Sequence, residues 1–290
     1  IGSFVIGVAA TILQVVLNLY LTVCRIGKTT ALQRQMIGGT SNSIGMAIAP
    51  LVISYLIFHG TPLHDIVTKQ FIIPLIILIL IMLIITLLVG KTQMPSIDNV
   101  RQAPGEKFDK SVWSFRNLKL GVWGIFFYVG IEVAVGANVN MYASELGGSF
   151  ASNATHMAAL YWGLLLLGRF LGSFIKQVPS EKQLVIASIG AIVLLVLAML
   201  TANPWILTLI GFFHSIMWPA IFTLATDQLG KYTTKASGVL TMGVIGGGII
   251  PLLQGIFADV MGGNWLWTWL LVIAGEAYIL YYGLNGYKQH

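Results

Sequence analysis

Only 9% of the 290 residues are charged against 57% hydrophobic, and mean hydropathy is +0.85, whereas charged residues make up nearer a quarter of a soluble domain. A water-soluble fold is excluded, and the bilayer is the expected solvent. The net charge of +6 lies almost wholly in gaps between apolar stretches, so nucleic acid is not an expected partner; the single cysteine, Cys24, permits no internal disulfide or thiolate cluster, and no cofactor is expected.

The apolar segments run over 1–24, 35–58, 71–90, 119–143, 155–175, 183–202, 204–226, 236–259 and 265–286. Each has about 20 residues or more, which at 1.5 Å rise per residue crosses a hydrocarbon core of about 30 Å. The expectation is an all-α polytopic membrane protein with nine crossings. All sixteen Lys and Arg except Lys69 fall in alternate gaps or the C-terminal tail: Arg25, Lys28 and Arg34 first; then Lys91 to Lys119; Arg169, Lys176 and Lys182; Lys231 and Lys235; and finally Lys288. The positive-inside rule therefore puts these gaps and the C-terminus in the cytoplasm.

Pro- and Gly-containing polar sequence between Lys91 and Arg116 reads as a linker. It divides the chain into a three-helix part (1–90), a cytoplasmic linker (91–118) and a six-helix part (119–290). Because many transporters consist of two six-helix halves, a three-plus-six count predicts nine of twelve helices, with the first three absent. A start at Ile1, inside an apolar segment, fits a truncated beginning. Pro50, Pro74, Pro204, Pro219 and Pro251 are expected to kink or bound spans. The glycines at 243, 246, 247 and 248 lie in an apolar span, where close helix packing is the favoured reading over phosphate binding.

Acids and histidines inside spans are costly and usually face a cavity or a partner. Glu132 is the clearest case, with Gly136 on its face and Asn138 on an adjoining one; the alternative is an interhelical structural bond. Glu276 sits centrally in the last span without a polar companion on its own helix. His214 and Trp218, four apart, are expected to share a helix face and pair an imidazole with a ring suited to stacking on a sugar; an interhelical histidine beside a packing tryptophan is the alternative. Gln14 and Asn18 have the same spacing, and these amides, with Asn42 and Gln254, offer the donors and acceptors that hydroxyl-rich ligands need, or serve as interhelical bonds. Asp227, Asp259, Glu145 and Glu181 fall near helix ends. Paired carboxylates, a His-rich metal set and a nucleophile elbow are all missing from the sequence, so an enzyme is not expected.

Four stretches resemble the fucose:proton symporter family of the major facilitator superfamily, which includes fucose permeases and bacterial glucose/galactose transporters. They are residues 128–136 (YVGIEVAVG), the run from Leu160-Tyr161-Trp162-Gly163 to Gly168-Arg169-Phe170-Leu171-Gly172-Ser173, residues 229–233 (LGKYT) and residues 249–255 (IIPLLQG). The resemblance covers essentially the whole chain and implies two halves rocking around a central sugar site, with proton uptake on an acid driving import. It also implies that the chain begins at the family's fourth helix, and that Gly168-Arg169 is the cytoplasmic gating motif. Departures are Gln14 where fucose permeases have Glu, Gly39 where Gln is usual, His214 where Asn is frequent, and Glu276 where a neutral residue is usual.

The resulting expectation is a secondary transporter in a bacterial inner membrane, monomeric in the lipid bilayer, importing a monosaccharide of the fucose, glucose or galactose type with protons or sodium as coupling ion. Gln14, Asn18, Asn42, Asn138, His214, Trp218 and Gln254 are the expected sugar ligands, Glu132 and Glu276 the coupling acids, and Arg169 the gate. A non-transporting remnant or sugar sensor, and an intramembrane enzyme acting on lipid-linked sugars, are the rivals.

Overall fold

A computed structural model describes residues 2–24, 27–52, 69, 72–93, 97 and 108–289. Arg25, residues 53–58 of the second predicted span, and residues 94–96 and 98–107 of the 91–118 linker lie outside the described residues. Two compact units emerge, residues 1–41 with 97–290, and residues 42–96.

Helices α1 (Gly2–Val23), α2 (Ala31–Leu51) and α3 (Ile72–Lys91) occupy the first three apolar segments. A capping box starts α2: the Gln33 amide donates to Thr30 Oγ1 and the Thr30 amide to Gln33 Oε1, both at 3.1 Å. The helix therefore begins four residues before the predicted span, and Arg34, expected in a basic loop, lies in its first turn. Its guanidinium donates at 2.7 Å to the carbonyls of Leu21 and Thr22, capping the C-terminal end of α1, where a cation also meets the negative end of the helix dipole. In the other unit, α3 is apolar around its whole circumference, as a lipid-facing span is.

The remaining chain forms α4 (Arg116–Leu146), a short α5 (Gly148–Ser152), α6 (Ala154–Gly172), α7 (Ser180–Thr201), α8 (Pro204–His214), α9 (Met217–Thr226), α10 (Thr233–Thr241), α11 (Gly246–Val260) and α12 (Trp269–Tyr281). Two predicted spans are broken. The 204–226 segment splits at residues 215–216, and a 3-10 turn over Met242–Ile245 separates α10 from α11. Pro219 explains the first break: it has no amide hydrogen for the carbonyl of Ser215 and its ring crowds that carbonyl. Pro204 occupies the first turn of α8, where Asn203 Oδ1 accepts from the Trp205 amide at 3.0 Å.

The centrally placed α4 packs against α6, α8, α9, α11 and α12. Its fully buried Tyr128, Ile131 and Tyr142, with Tyr161, Phe222, Trp269 and Tyr282, form an aromatic-rich interior, while Ile186, Leu200 and Val260 point outward. Small residues allow the closest crossings. A methyl on Gly246 would run into the Phe126 carbonyl, and one on Gly130 would come 3.0 Å from the Gly246 carbonyl, so α4 and α11 touch backbone to backbone. Gly211 lies in the same way on the Tyr161 carbonyl, and Gly136 makes room for Tyr161 and Trp162. Of the glycine run, Gly243, Gly246 and Gly247 thus serve packing, while Gly248 faces open space.

Within the larger unit, α1 and the start of α2 meet the later helices near the ends that carry the basic residues. Ser237 Oγ donates to the Val15 carbonyl at 3.2 Å and Gln33 Nε2 to the Ser173 carbonyl at 2.9 Å. Along α1, Asn18 and Leu19 are buried whereas Phe4, Ile6 and Ile12 are exposed.

Candidate functional site

The chemistry-bearing side chains of the larger unit gather where α4, α6, α8 and α12 meet. Glu132, midway along α4, faces Arg169 from the last turn of α6; Oε1 and Nη2 are 3.4 Å apart, with the side chains 13% and 10% exposed. Arg169 is far more than a surface cation. Its Nη2 lies 3.5 Å from the Tyr128 hydroxyl, and Nη1 donates to the Gly39 carbonyl at 3.5 Å. Nε points at the Ser215 carbonyl at 3.4 Å, the acceptor that Pro219 deprives of its helical donor. One guanidinium thus joins the acid on α4, the backbone of α2 and the joint between α8 and α9. Five donors in a rigid fork suit it to this role.

His214, the last residue of α8, is completely buried, with both ring nitrogens engaged. Nδ1 is 2.6 Å from the Tyr161 hydroxyl and Nε2 is 2.6 Å from Glu276 Oε1 on α12. The Tyr161 hydroxyl also donates to the Glu132 carbonyl at 3.1 Å. Glu276 Oε2 is buried without a hydrogen-bond partner among the described residues. A third group joins α4 to α11, where Asn138 Nδ2 donates to Gln254 Oε1 at 2.9 Å and Gln254 Nε2 to Thr268 Oγ1 at 3.1 Å.

These contacts belong to a recognisable scaffold, for a family profile described as Major Facilitator Superfamily matches residues 1–251. The chain belongs to the major facilitator superfamily. It is 34% identical over 295 residues to the glucose/galactose transporter of Brucella abortus, an alignment covering 99% of this chain and 71% of that one. The L-fucose-proton symporter of Escherichia coli is 27% identical over 289 residues, covering 90% and 66% of the two chains. Among solved structures, the superfamily transporter FucP in its outward conformation superposes with a TM-score of 0.79 over 94% of this chain and 72% of its own, at 23% identity. That likeness describes the fold; the sequence relatives place this superfamily member beside glucose/galactose transporters and the fucose:proton symporters.

Within this major facilitator fold, six of the residues singled out in the sequence meet in pairs that the sequence did not indicate: Glu132 with Arg169, His214 with Glu276, and Asn138 with Gln254. The missing companion of Glu276 is supplied by α8 rather than by its own helix. Trp218 and His214 lie on opposite sides of the 215–216 break, so the shared helix face that their spacing suggests does not extend between them. Both rings instead approach Tyr128, at 6.5 and 6.2 Å between centroids, and Trp218 also stacks on Phe222 at 6.1 Å. On α1, Gln14 is half-buried, while Asn18 is buried and its carbonyl accepts from Gln35 Nε2 at 2.8 Å. Asn42 belongs to the 42–96 unit, where Nδ2 lies 3.6 Å from Met46 Sδ.

Sequence reasoning missed Tyr128, Tyr161, Ser215 and Thr268 as members of the site. Tyr128 precedes Glu132 by one helical turn, a usable signal. The others enter through contacts between distant helices, and Ser215 contributes only a backbone oxygen.

Proposed function

We propose that this protein is a secondary transporter that imports a monosaccharide of the fucose, glucose or galactose type by proton symport and alternating access. The observation that supports this most directly is 34% identity to a glucose/galactose transporter over 99% of the chain. A cluster of buried polar and ionisable groups within an apolar bundle is what such a substrate and ion require.

In this reading Asn138 and Gln254, with Thr268 holding the latter, present amide donors and acceptors to sugar hydroxyls, and the Trp218 ring offers an apolar face to the pyranose. Gln14 and Asn18 on α1 and Asn42 on α2 complete the ligand set, as the family resemblance suggests. Glu132 and Glu276 are the coupling acids, and Arg169 is the gate that must release Glu132 or the α8–α9 joint for the halves to rock. Each proton moved inward contributes about 2.3 kcal/mol per 100 mV of membrane potential. The protein works as a monomer in a bacterial inner membrane, organised as helices over 1–90, a cytoplasmic linker over 91–118 and helices over 119–290, with its C-terminus in the cytoplasm.

Counterflow in proteoliposomes tests the reading. Vesicles loaded with unlabelled glucose, galactose or fucose should take up the labelled sugar faster than empty ones, and an inward proton gradient should drive accumulation. Absence of counterflow for all three sugars would leave a non-transporting protein.

A further inference from the structure

The Tyr161–His214–Glu276 chain has a property that follows from counting its hydrogens. A carbonyl oxygen only accepts, so the 3.1 Å contact to the Glu132 carbonyl requires the Tyr161 hydroxyl to spend its single proton there. The 2.6 Å contact between that hydroxyl and His214 Nδ1 must then carry a proton belonging to the imidazole. With Nδ1 protonated, the 2.6 Å contact from Nε2 to Glu276 Oε1 needs one more proton, on either atom, giving imidazolium with carboxylate or neutral imidazole with carboxylic acid. Both arrangements have the same number of protons and zero net charge.

Removing one proton leaves a single N–H on the ring. It stays on Nε2, donating to the Glu276 carboxylate, and Nδ1 becomes an acceptor. The Tyr161 hydroxyl then turns its proton to Nδ1 and releases the Glu132 carbonyl. One proton goes to water, no other bond is made or broken, and the heavy atoms hardly move.

We propose that Tyr161, His214 and Glu276 form a one-proton relay, loaded in the present structure, in which the His214–Glu276 pair holds the coupling ion and the Tyr161 hydroxyl signals its presence to α4 at Glu132. This rests on the cation-symport reading above and makes it more specific. His214 and Tyr161 become ion-coupling groups, and the relay reaches Glu132, whose side chain is held by Arg169. Every element packed on the relay contributes to its field. Tyr128 and Glu132 come from α4 and Arg169 from α6. On α7, Glu181 and Lys182 lie in the first turn, and Asp227 caps the far end of α9, so these charges stand at helix ends. Both side chains of the His214–Glu276 pair are completely buried, which favours the uncharged arrangement, with the acid proton on Glu276 Oε1 and donated to Nε2.

Infrared and nitrogen-15 spectroscopy of the intact reconstituted protein test the relay. The wild type should show a protonated-carboxyl band that shifts in heavy water and is lost as pH rises, and Glu276→Gln should delete it. In step with the band, the His214 signal, assigned by its loss in His214→Asn, should pass from an Nδ1-protonated form to the Nε2–H tautomer. Tyr161→Phe should keep the titrating band yet lose proton-driven sugar accumulation, which a merely structural tyrosine would not do. A wild-type band that fails to titrate over the pH range of counterflow, or a His214 ring that is Nε2–H throughout, overturns the relay even if no variant folds. A titrating band alongside accumulation that ignores the proton gradient overturns its coupling role. Loss of counterflow itself would sink the transport reading and leave the spectroscopic result standing.

Discussion

Removing the guanidinium of Arg169 should be far more damaging than its place near a helix end suggests. At 3.4 Å, with about nine-tenths of each side chain shielded from water, its attraction to Glu132 is about 5 kcal/mol at an effective dielectric of about 20. Desolvation of both ions offsets much of this, but Arg169→Met leaves the acid alone in an apolar bundle and costs about 3–5 kcal/mol, the usual penalty for breaking a buried pair. Glu132→Gln is milder, because the guanidinium keeps the carbonyls of Gly39 and Ser215 and the Tyr128 hydroxyl. In the double variant the orphaned acid is gone, so its loss should fall short of the sum by about 2 kcal/mol or more. Equilibrium unfolding by SDS in mixed micelles, followed by tryptophan fluorescence, measures all three. If the two single losses add within about 0.5 kcal/mol, the residues do not interact, and Arg169 is not the stabilising partner of Glu132 in the bundle.

Gly246→Ala should destabilise by about 1–3 kcal/mol or more, since the new methyl meets the Phe126 carbonyl, whereas Gly238→Ala, with open space around it, should be neutral or gain up to about 1 kcal/mol in the same unfolding assay. Gln254→Leu takes the acceptor from the half-buried Asn138 amide at about 1–3 kcal/mol, while the Thr268 hydroxyl keeps its bond to the Trp265 carbonyl, and should raise the KM for sugar counterflow; an unchanged KM would remove Gln254 from the ligand set.

Much of the architecture was legible because lipid imposes a simple length rule. Apart from the short α5, the described α-helices fall on the nine apolar segments, and Glu132, Glu276 and His214 stood out because a bilayer makes such residues costly. Acids expected near helix ends lie there, with Glu145 Oε2 accepting from the Trp265 amide at 2.8 Å and Asp227 capping α9. The partnerships were less legible. His214 meets Glu276 across 62 residues and Tyr161 across 53, distances over which periodicity says nothing. A spacing of four puts His214 and Trp218 on one face only if the helix is unbroken, and Pro219 already carried the warning. The long reach of Arg169 to Ser215 was hidden for another reason: its acceptor is a backbone atom, and any residue at position 215 would have supplied one.

That acceptor gives α6 a mechanical hold on a neighbouring span. The 204–226 segment is a jointed rod whose missing internal bond is replaced from outside, by a side chain rooted in another helix. Its stiffness is therefore borrowed. While α6 stays in register the two pieces act as one lever; a slide of α6 by a fraction of a turn removes the splint and frees α9 to pivot with Trp218 at its head. A small translation in one place would then become an angular displacement in another.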